Sequence, residues 1–196
     1  MKNLFFSFFF ILPLSLIAGV TVGQQAPDFS LEDASGKTVS LSDYKGKTVV
    51  LEWINPGCPF VRKFYNEQDM PAFQEKARKM DVVWLSINST NPDHRDYMTP
   101  EETRAWAKEH GHDVPWLLDS EGTVGKAYGA VTTPHMFIIN ESGNIVYQGA
   151  IDSIRDTKPE SVSKATNYVM EALTAMDKGS SFPNAQTRPY GCSVKY

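Results

Sequence analysis

Cysteine is almost missing from this chain: Cys58 and Cys192 are the only two in 196 residues. Two cysteines cannot build the dense disulfide framework of a small secreted domain, so the fold must rest on a packed core. His94, His110 and His112 form no metal-ligand spacing with either cysteine, which leaves no zinc-site pattern to read. A basic excess is missing as well. The net charge is −4 and no stretch concentrates Lys and Arg, so no nucleic-acid partner is expected. Internal repeats and low-complexity tracts are also lacking, and the one long apolar run lies at the N-terminus.

That run extends from Leu4 to Ala18 behind a single basic residue, Lys2, and is closed by Ala18 and Gly19 before the polar pair Gln24-Gln25. A charged start, a short apolar stretch and a small-residue exit are the layout of a secretory signal peptide. The run falls short of the about 20 apolar residues that a membrane span needs, and no cysteine follows it to carry a lipid. The expectation is a signal peptide over residues 1–19, a periplasmic or secreted mature protein, and no stable membrane span; an uncleaved anchor is the alternative. What remains, roughly 175 residues, suits one domain burying about 70% of its unfolded surface. Its expected limits are 20–178. A tail follows over 179–196, whose Ser/Gly/Pro-rich opening from Gly179 to Pro189 reads as irregular and leads to Cys192.

Within the domain, Lys47 to Ile54 is apolar on both faces apart from Glu52, which suits a central strand covered on both sides. Asn55-Pro56-Gly57 breaks it, and from Pro59 the pattern turns helical through Phe60, Phe64, Met70, Phe73, Ala77 and Met80. Asp81 to Asn88 predicts a second buried strand. Thr99-Pro100-Glu101-Glu102 predicts a capped helix start with Pro at its first position, and Gly111 ends that helix after His110. Strands are expected over His135–Asn140 and Ile145–Gln148 around the turn Glu141-Ser142-Gly143-Asn144, and a last helix over about Pro159–Met176. Alternating strands and helices with a terminal hairpin predict an α/β fold with helices on both faces of the sheet.

Cys58 stands between a strand end and Pro59, the expected first helical residue. Backbone N–H groups and the helix dipole favour negative charge there, which makes the thiol a candidate nucleophile; an inert buried cysteine is the competing reading. Glu52 shares its strand face with apolar Val50 and Ile54, so its carboxyl is expected inside, where desolvation would suit it to take or return a proton. A sheet-edge carboxylate facing water is the alternative. Arg62 can favour a thiolate or simply sit exposed, and His135 can approach Cys58 as a base or metal ligand or be an ordinary strand histidine. Asn88-Ser89-Thr90 and Asn140-Glu141-Ser142 match the short, unspecific glycosylation sequon.

Four segments resemble known sequences. Gly23-Gln24-Gln25-Ala26-Pro27-Asp28-Phe29-Ser30-Leu31 is similar to the opening of the alkyl hydroperoxide reductase/thiol-specific antioxidant family. Val49 to Lys63, with Cys58-Pro59-Phe60-Val61-Arg62-Lys63, resembles a thioredoxin-type active-site strand and helix. Thr132 to Asn140 resembles the superfamily's cis-proline strand, and Tyr190 to Tyr196 resembles the ending of a bacterial peroxiredoxin-like redoxin subgroup.

The resemblance implies a thioredoxin-like fold, a central mixed sheet with helices on both faces. It implies Cys58 as the nucleophile toward a peroxide or a disulfide, Cys192 as the resolving thiol, and Glu52, placed where thioredoxins carry a buried carboxylate, as the proton manager. Thr133 and a cis Pro134 would shape the substrate face. No organic cofactor is implied, and reducing equivalents would come from an external thiol protein. Two departures narrow this. Val61 stands where thioredoxins carry a second cysteine, so Cys192 is the one intramolecular partner open to Cys58. Leu51 and Asn55 stand where peroxiredoxins carry Pro and Thr, so peroxidase activity lacks its usual motif. The rival class is a non-catalytic binding protein: a copper-handling module using Cys58 and His135, or a domain stapled by a permanent Cys58–Cys192 disulfide.

Overall fold

The computed structural model describes residues 19–196, so the signal peptide expected over 1–19 lies almost wholly outside the described residues. In chain order the elements are β1 (Ser30–Asp33), β2 (Thr38–Ser40), β3 (Val49–Trp53), α1 (Pro59–Tyr65), α2 (Asp69–Lys79), β4 (Val83–Asn88) and α3 (Pro100–Glu109). They continue with β5 (Trp116–Leu118), α4 (Thr123–Tyr128), β6 (Thr132–Thr133), β7 (His135–Ile139), β8 (Ile145–Gly149), α5 (Tyr168–Asp177) and β9 (Cys192–Ser193). Seven strands form one mixed sheet in the order β2-β1-β5-β4-β3-β7-β8, while β6 and β9 pair separately. β3 runs parallel to β4 and antiparallel to β7, with Leu51 opposite both Leu85 and Phe137.

Alternation along the strands sorts two cores. Val50, Ile54, Trp84, Met136 and Ile138 face one side and pack with Phe64, Tyr65, Met70, Ala77, Val169 and Leu173 from α1, α2 and α5. Val49, Leu51, Trp53, Leu85, Ile87 and Phe137 face the other side, under Val124 and Tyr128 of α4 and Phe29 near the N-terminus. The expected α/β architecture is the observed one.

α3 begins as its sequence predicts: the Thr99 hydroxyl accepts from the Glu102 N–H at 3.2 Å, and Glu102 accepts from the Thr99 N–H at 2.8 Å. Two helical stretches depart from expectation. The pattern after Pro59 splits into α1 and α2 because Gln68 takes a left-handed conformation at φ 62°. The stretch predicted as one helix from Pro159 to Met176 is a 3-10 turn, Pro159–Lys164, followed by α5. Between them the backbone is extended and bonded to the 151–153 segment: Ser153 N–H donates to Thr166 and Tyr168 N–H donates to Ile151. The Asn167 side chain then caps a fresh helix by accepting from Met170 N–H at 2.9 Å. Those tertiary bonds outweigh helix propensity over Ala165–Thr166.

Replacing Thr99 with Ala removes one arm of the capping box, and stability should fall by about 1 kcal/mol. Urea unfolding should show a lower midpoint with an unchanged slope. An unmoved midpoint would mean that the cap contributes nothing.

Candidate active site

The turn after β3 is built to hold a thiol. The Asn55 side-chain oxygen accepts from Gly57 N–H at 2.6 Å, and the Asn55 carbonyl accepts from Cys58 N–H at 3.0 Å. The Asn55 amide donates to the Thr90 hydroxyl at 2.9 Å, and that hydroxyl donates to Asn88, so the turn is tied to the end of β4. Gly57 is needed because a Cβ there would press on the Asp96 carboxyl and on Asn55. Cys58 is the residue before Pro59, at the N-terminal boundary of α1, and is only 2% exposed. With Asn88 buried inside this network, the first sequon is occupied by internal hydrogen bonds.

Two further segments meet at the Cys58 sulfur. The thiol donates to the Thr133 carbonyl at 3.0 Å, and the Thr133–Pro134 peptide bond is cis, as the motif implies. The stretch expected to be irregular, Gly179–Pro189, carries no helix or named strand, and from residue 185 it lies along the domain and leads into β9. Cys192 pairs antiparallel with Thr133 across β6 and β9, and its backbone N–H donates to the Cys58 sulfur at 3.4 Å. Both cysteines are free thiols. Burial, then the hydrogen bond and charge of the Cys58 sulfur, push the Cys192 thiol up to about 12, so Cys192 keeps its proton at neutral pH.

Glu52 is fully buried, the placement its apolar neighbours predict. Desolvation raises its carboxyl to about 7, against the opposing hydrogen bonds. Its oxygens accept from Trp84 Nε1 at 2.8 Å, Tyr65 OH at 2.9 Å, Ser86 Oγ at 3.2 Å and Gln74 Nε2 at 3.4 Å. Among the described residues it bonds to neither cysteine. Arg62 is exposed and donates to the Pro56 carbonyl at 2.8 Å, bracing the turn. His135 is buried, accepts from Val131 N–H at 3.3 Å, and is lowered to about 4 by desolvation, which leaves it neutral and turned to its own strand's surroundings.

Some site residues carried no readable signal. Lys63 is buried 3.5 Å from Asp152 and 3.6 Å from Asp156, and it donates to the Ile154 carbonyl at 2.9 Å. Tyr190 of the tail donates to the same Asp152 and packs edge-on against Phe60, ring centroids 5.8 Å apart. Nothing local in the sequence joins residues 63, 152 and 190. An open cleft of about 570 Å³, lined by Leu41, Tyr44, Val49 and Gly143 among others, lies at the opposite end of β3 from Cys58.

A thioredoxin fold that sets a thiol at a strand-to-helix turn, against a cis-proline and a second thiol, defines a thiol-dependent redox protein. The chain belongs to the AhpC/TSA family, whose match covers residues 22–148 and stops short of the tail. It is 35% identical over 131 residues to the thioredoxin-like protein YneN of Bacillus subtilis, covering 65% of this chain and 70% of that one. It is 26% identical over 145 residues to the thiol-disulfide oxidoreductase ResA of Bacillus thuringiensis, covering 74% and 79%. A crystal structure of an uncharacterized conserved protein from Geobacillus kaustophilus superposes with a TM-score of 0.78 at 30% identity, covering 90% of this chain and 92% of that one.

The buried carboxyl makes a pH prediction. Below the ordinary value of 4.5, Glu52 is protonated whether folded or unfolded; between 4.5 and about 7 the unfolded chain releases a proton that the folded chain retains, so folding loses stability as pH rises. Glu52→Gln removes this loss. Across that window the variant should gain on the order of 3 kcal/mol relative to wild type, read by urea unfolding at several pH values. Parallel stability curves would show that Glu52 keeps an ordinary proton affinity.

Proposed function

We propose that this protein is an exported thiol-disulfide oxidoreductase in which Cys58 attacks and Cys192 resolves. The observation that carries the reading is the Cys192 N–H on the Cys58 sulfur at 3.4 Å, with Thr133 opposite both. The Cys58 thiolate attacks one sulfur of a substrate disulfide, forming a mixed disulfide and releasing the other sulfur as a thiol. The Cys192 sulfur then gives up its proton and attacks Cys58, forming a Cys58–Cys192 disulfide and releasing the second substrate thiol. An external thiol protein returns the pair to the reduced state. Glu52 buffers the proton transfers, and Thr133 with Pro134 forms the substrate face. Export follows from the signal peptide over residues 1–19, ahead of a domain at 20–178 and a tail at 179–196.

A disulfide substrate is favoured over a peroxide by what stands near the sulfur. Leu51 and Asn55 replace the Pro and Thr of peroxide-reducing relatives; Leu51 is core, and both polar ends of Asn55 are spent on holding the turn. The relatives named as thioredoxin-like protein and thiol-disulfide oxidoreductase support the same choice.

Disulfide turnover by the mature protein should vanish in Cys58→Ser. In Cys192→Ser it should drop at least about tenfold while a mixed disulfide on Cys58 accumulates. Non-reducing peptide mapping of the wild type after one equivalent of oxidant should recover Cys58 joined to Cys192. Wild-type turnover in Cys192→Ser would remove the resolving role, and turnover in Cys58→Ser would remove the whole assignment.

A further inference from the structure

β6 is a strand of two residues outside the seven-stranded sheet, and among the described residues its one strand partner is β9 from the tail. The tail follows the domain through a series of specific seats. Gln148 exchanges backbone bonds with Ala185 and Thr187, and Ala150 N–H donates to the Thr187 hydroxyl at 2.9 Å. Tyr190 fills a slot between Phe60 and Asp152. Gly191, at φ 133°, lies so close to β6 that a Cβ would overlap the Thr133 carbonyl. Beyond Cys192, Val194 N–H donates to Val131 at 3.1 Å, Asn91 N–H donates to Lys195 at 2.7 Å, and Tyr196 OH donates to Ala130 at 2.7 Å.

This arrangement has the form of an extended peptide added to a strand edge, with main-chain bonds giving affinity and side-chain pockets giving sequence preference. The bound peptide presents its cysteine to Cys58. While it is seated, Cys58 is 2% exposed and a bulky disulfide cannot reach it. The buried Thr133 hydroxyl has no hydrogen-bond partner, a polar group at this edge that the tail leaves unused.

We propose that residues 190–196, seated along the β6 docking strip, are a built-in stand-in for the extended segment of a partner protein that carries a disulfide-bonded cysteine. This rests on the thiol-disulfide reading and adds the substrate class. The partner segment resembles the tail in chemistry: an aromatic residue two positions before its cysteine for the Tyr190 slot, glycine immediately before it, and an apolar residue two positions after. The partner displaces the tail, and Cys58 attacks the partner's cysteine sulfur, breaking its disulfide and forming a Cys58–partner disulfide. The returning tail then resolves it. Cys192 transfers its proton to the departing cysteine sulfur, bonds to Cys58, and refills the strip, so resolution and product expulsion are one movement.

The test is single-turnover chemistry in the full mature chain with Cys192→Ser, which keeps the tail backbone but removes resolution. The probe is a peptide copying residues 188–196, its cysteine activated as a disulfide with thionitrobenzoate; the controls are the same peptide with valine for its glycine, or alanine for its first tyrosine, and the cysteamine–thionitrobenzoate disulfide. Adding Gly191→Val, which cannot seat against Thr133, should speed the peptide at least about tenfold, because an intramolecular competitor at millimolar effective concentration is gone. Tyr190→Ala should act in the same direction, and faster hydrogen exchange at the Asn91 amide should report the released tail. In the released background the tail-copy peptide should outpace both altered peptides and the small disulfide by a similar factor. Equal rates with tail seated or released, or equal rates for all probes, would overturn the proposal and leave the oxidoreductase reading standing. No reaction of Cys58 with any probe would overturn both. A release effect that instead tracks a concentration-dependent dimer in sedimentation would assign the strip to a second copy's tail, and the partner proposal would fall.

Discussion

β3 has no side open to water, and the rest of the molecule is arranged around that constraint. It is hydrogen-bonded on both edges, to β4 and β7, and covered on both faces by apolar side chains. A strand so enclosed can leave the sheet only at its end, and the chain must turn there sharply. Asn55 makes that turn by bonding to Gly57 and Thr90, and Cys58 is delivered at its exit. The position of the sulfur is thus a consequence of how the central strand is terminated. The same enclosure explains Glu52: a carboxyl within β3 has no water, so four side chains converge on it and it holds its proton to about neutral pH.

The tail solves a second problem, that of a reactive group beside an unpaired strand edge. Bare edges recruit extended chains without discrimination. Here the edge is covered by the chain's own end, anchored through Tyr190 to the buried Asp152–Lys63 pair. Breaking such a pair leaves an uncompensated buried charge, which costs more than the pair itself contributes. Seating the tail therefore couples the cover of Cys58 to the ionic cluster around Lys63 of α1. That cluster gives the tail a defined docked state, and with it a defined register for Cys192.

Much of the architecture was legible because the relevant signals are local. β3, β4, β7 and β8 are runs of apolar residues bounded by turn formers, and α3 announces its start through Thr99, Pro100 and Glu102. β1, β2 and β5 are only three or four residues long, too short for a period to register. The helix expected over Pro159–Met176 failed for a different reason: hydrogen bonds to the 151–153 segment hold Thr166 and Asn167 in extended geometry, and that segment lies beyond the reach of a local helical pattern.

The sequence by itself determined which atoms can do chemistry: one thiol before Pro59, one near the C-terminus, and one carboxyl inside an apolar strand. Residue type, neighbours and strand alternation suffice for that, since they act within a few positions. Only the tertiary structure decided how these groups relate. The segment ending in Cys192 is rich in Ser, Gly and Pro and has no strand preference of its own; it becomes a strand because β6 supplies partners for its backbone. The slot for Tyr190 and the closeness of Gly191 to Thr133 arise from surfaces that exist after the domain has packed. Long-range pairing leaves no periodic trace in either segment; the resemblance paired the two cysteines, but how they meet, through β9 on β6 with the Cys192 N–H on the Cys58 sulfur, could be read only from the fold.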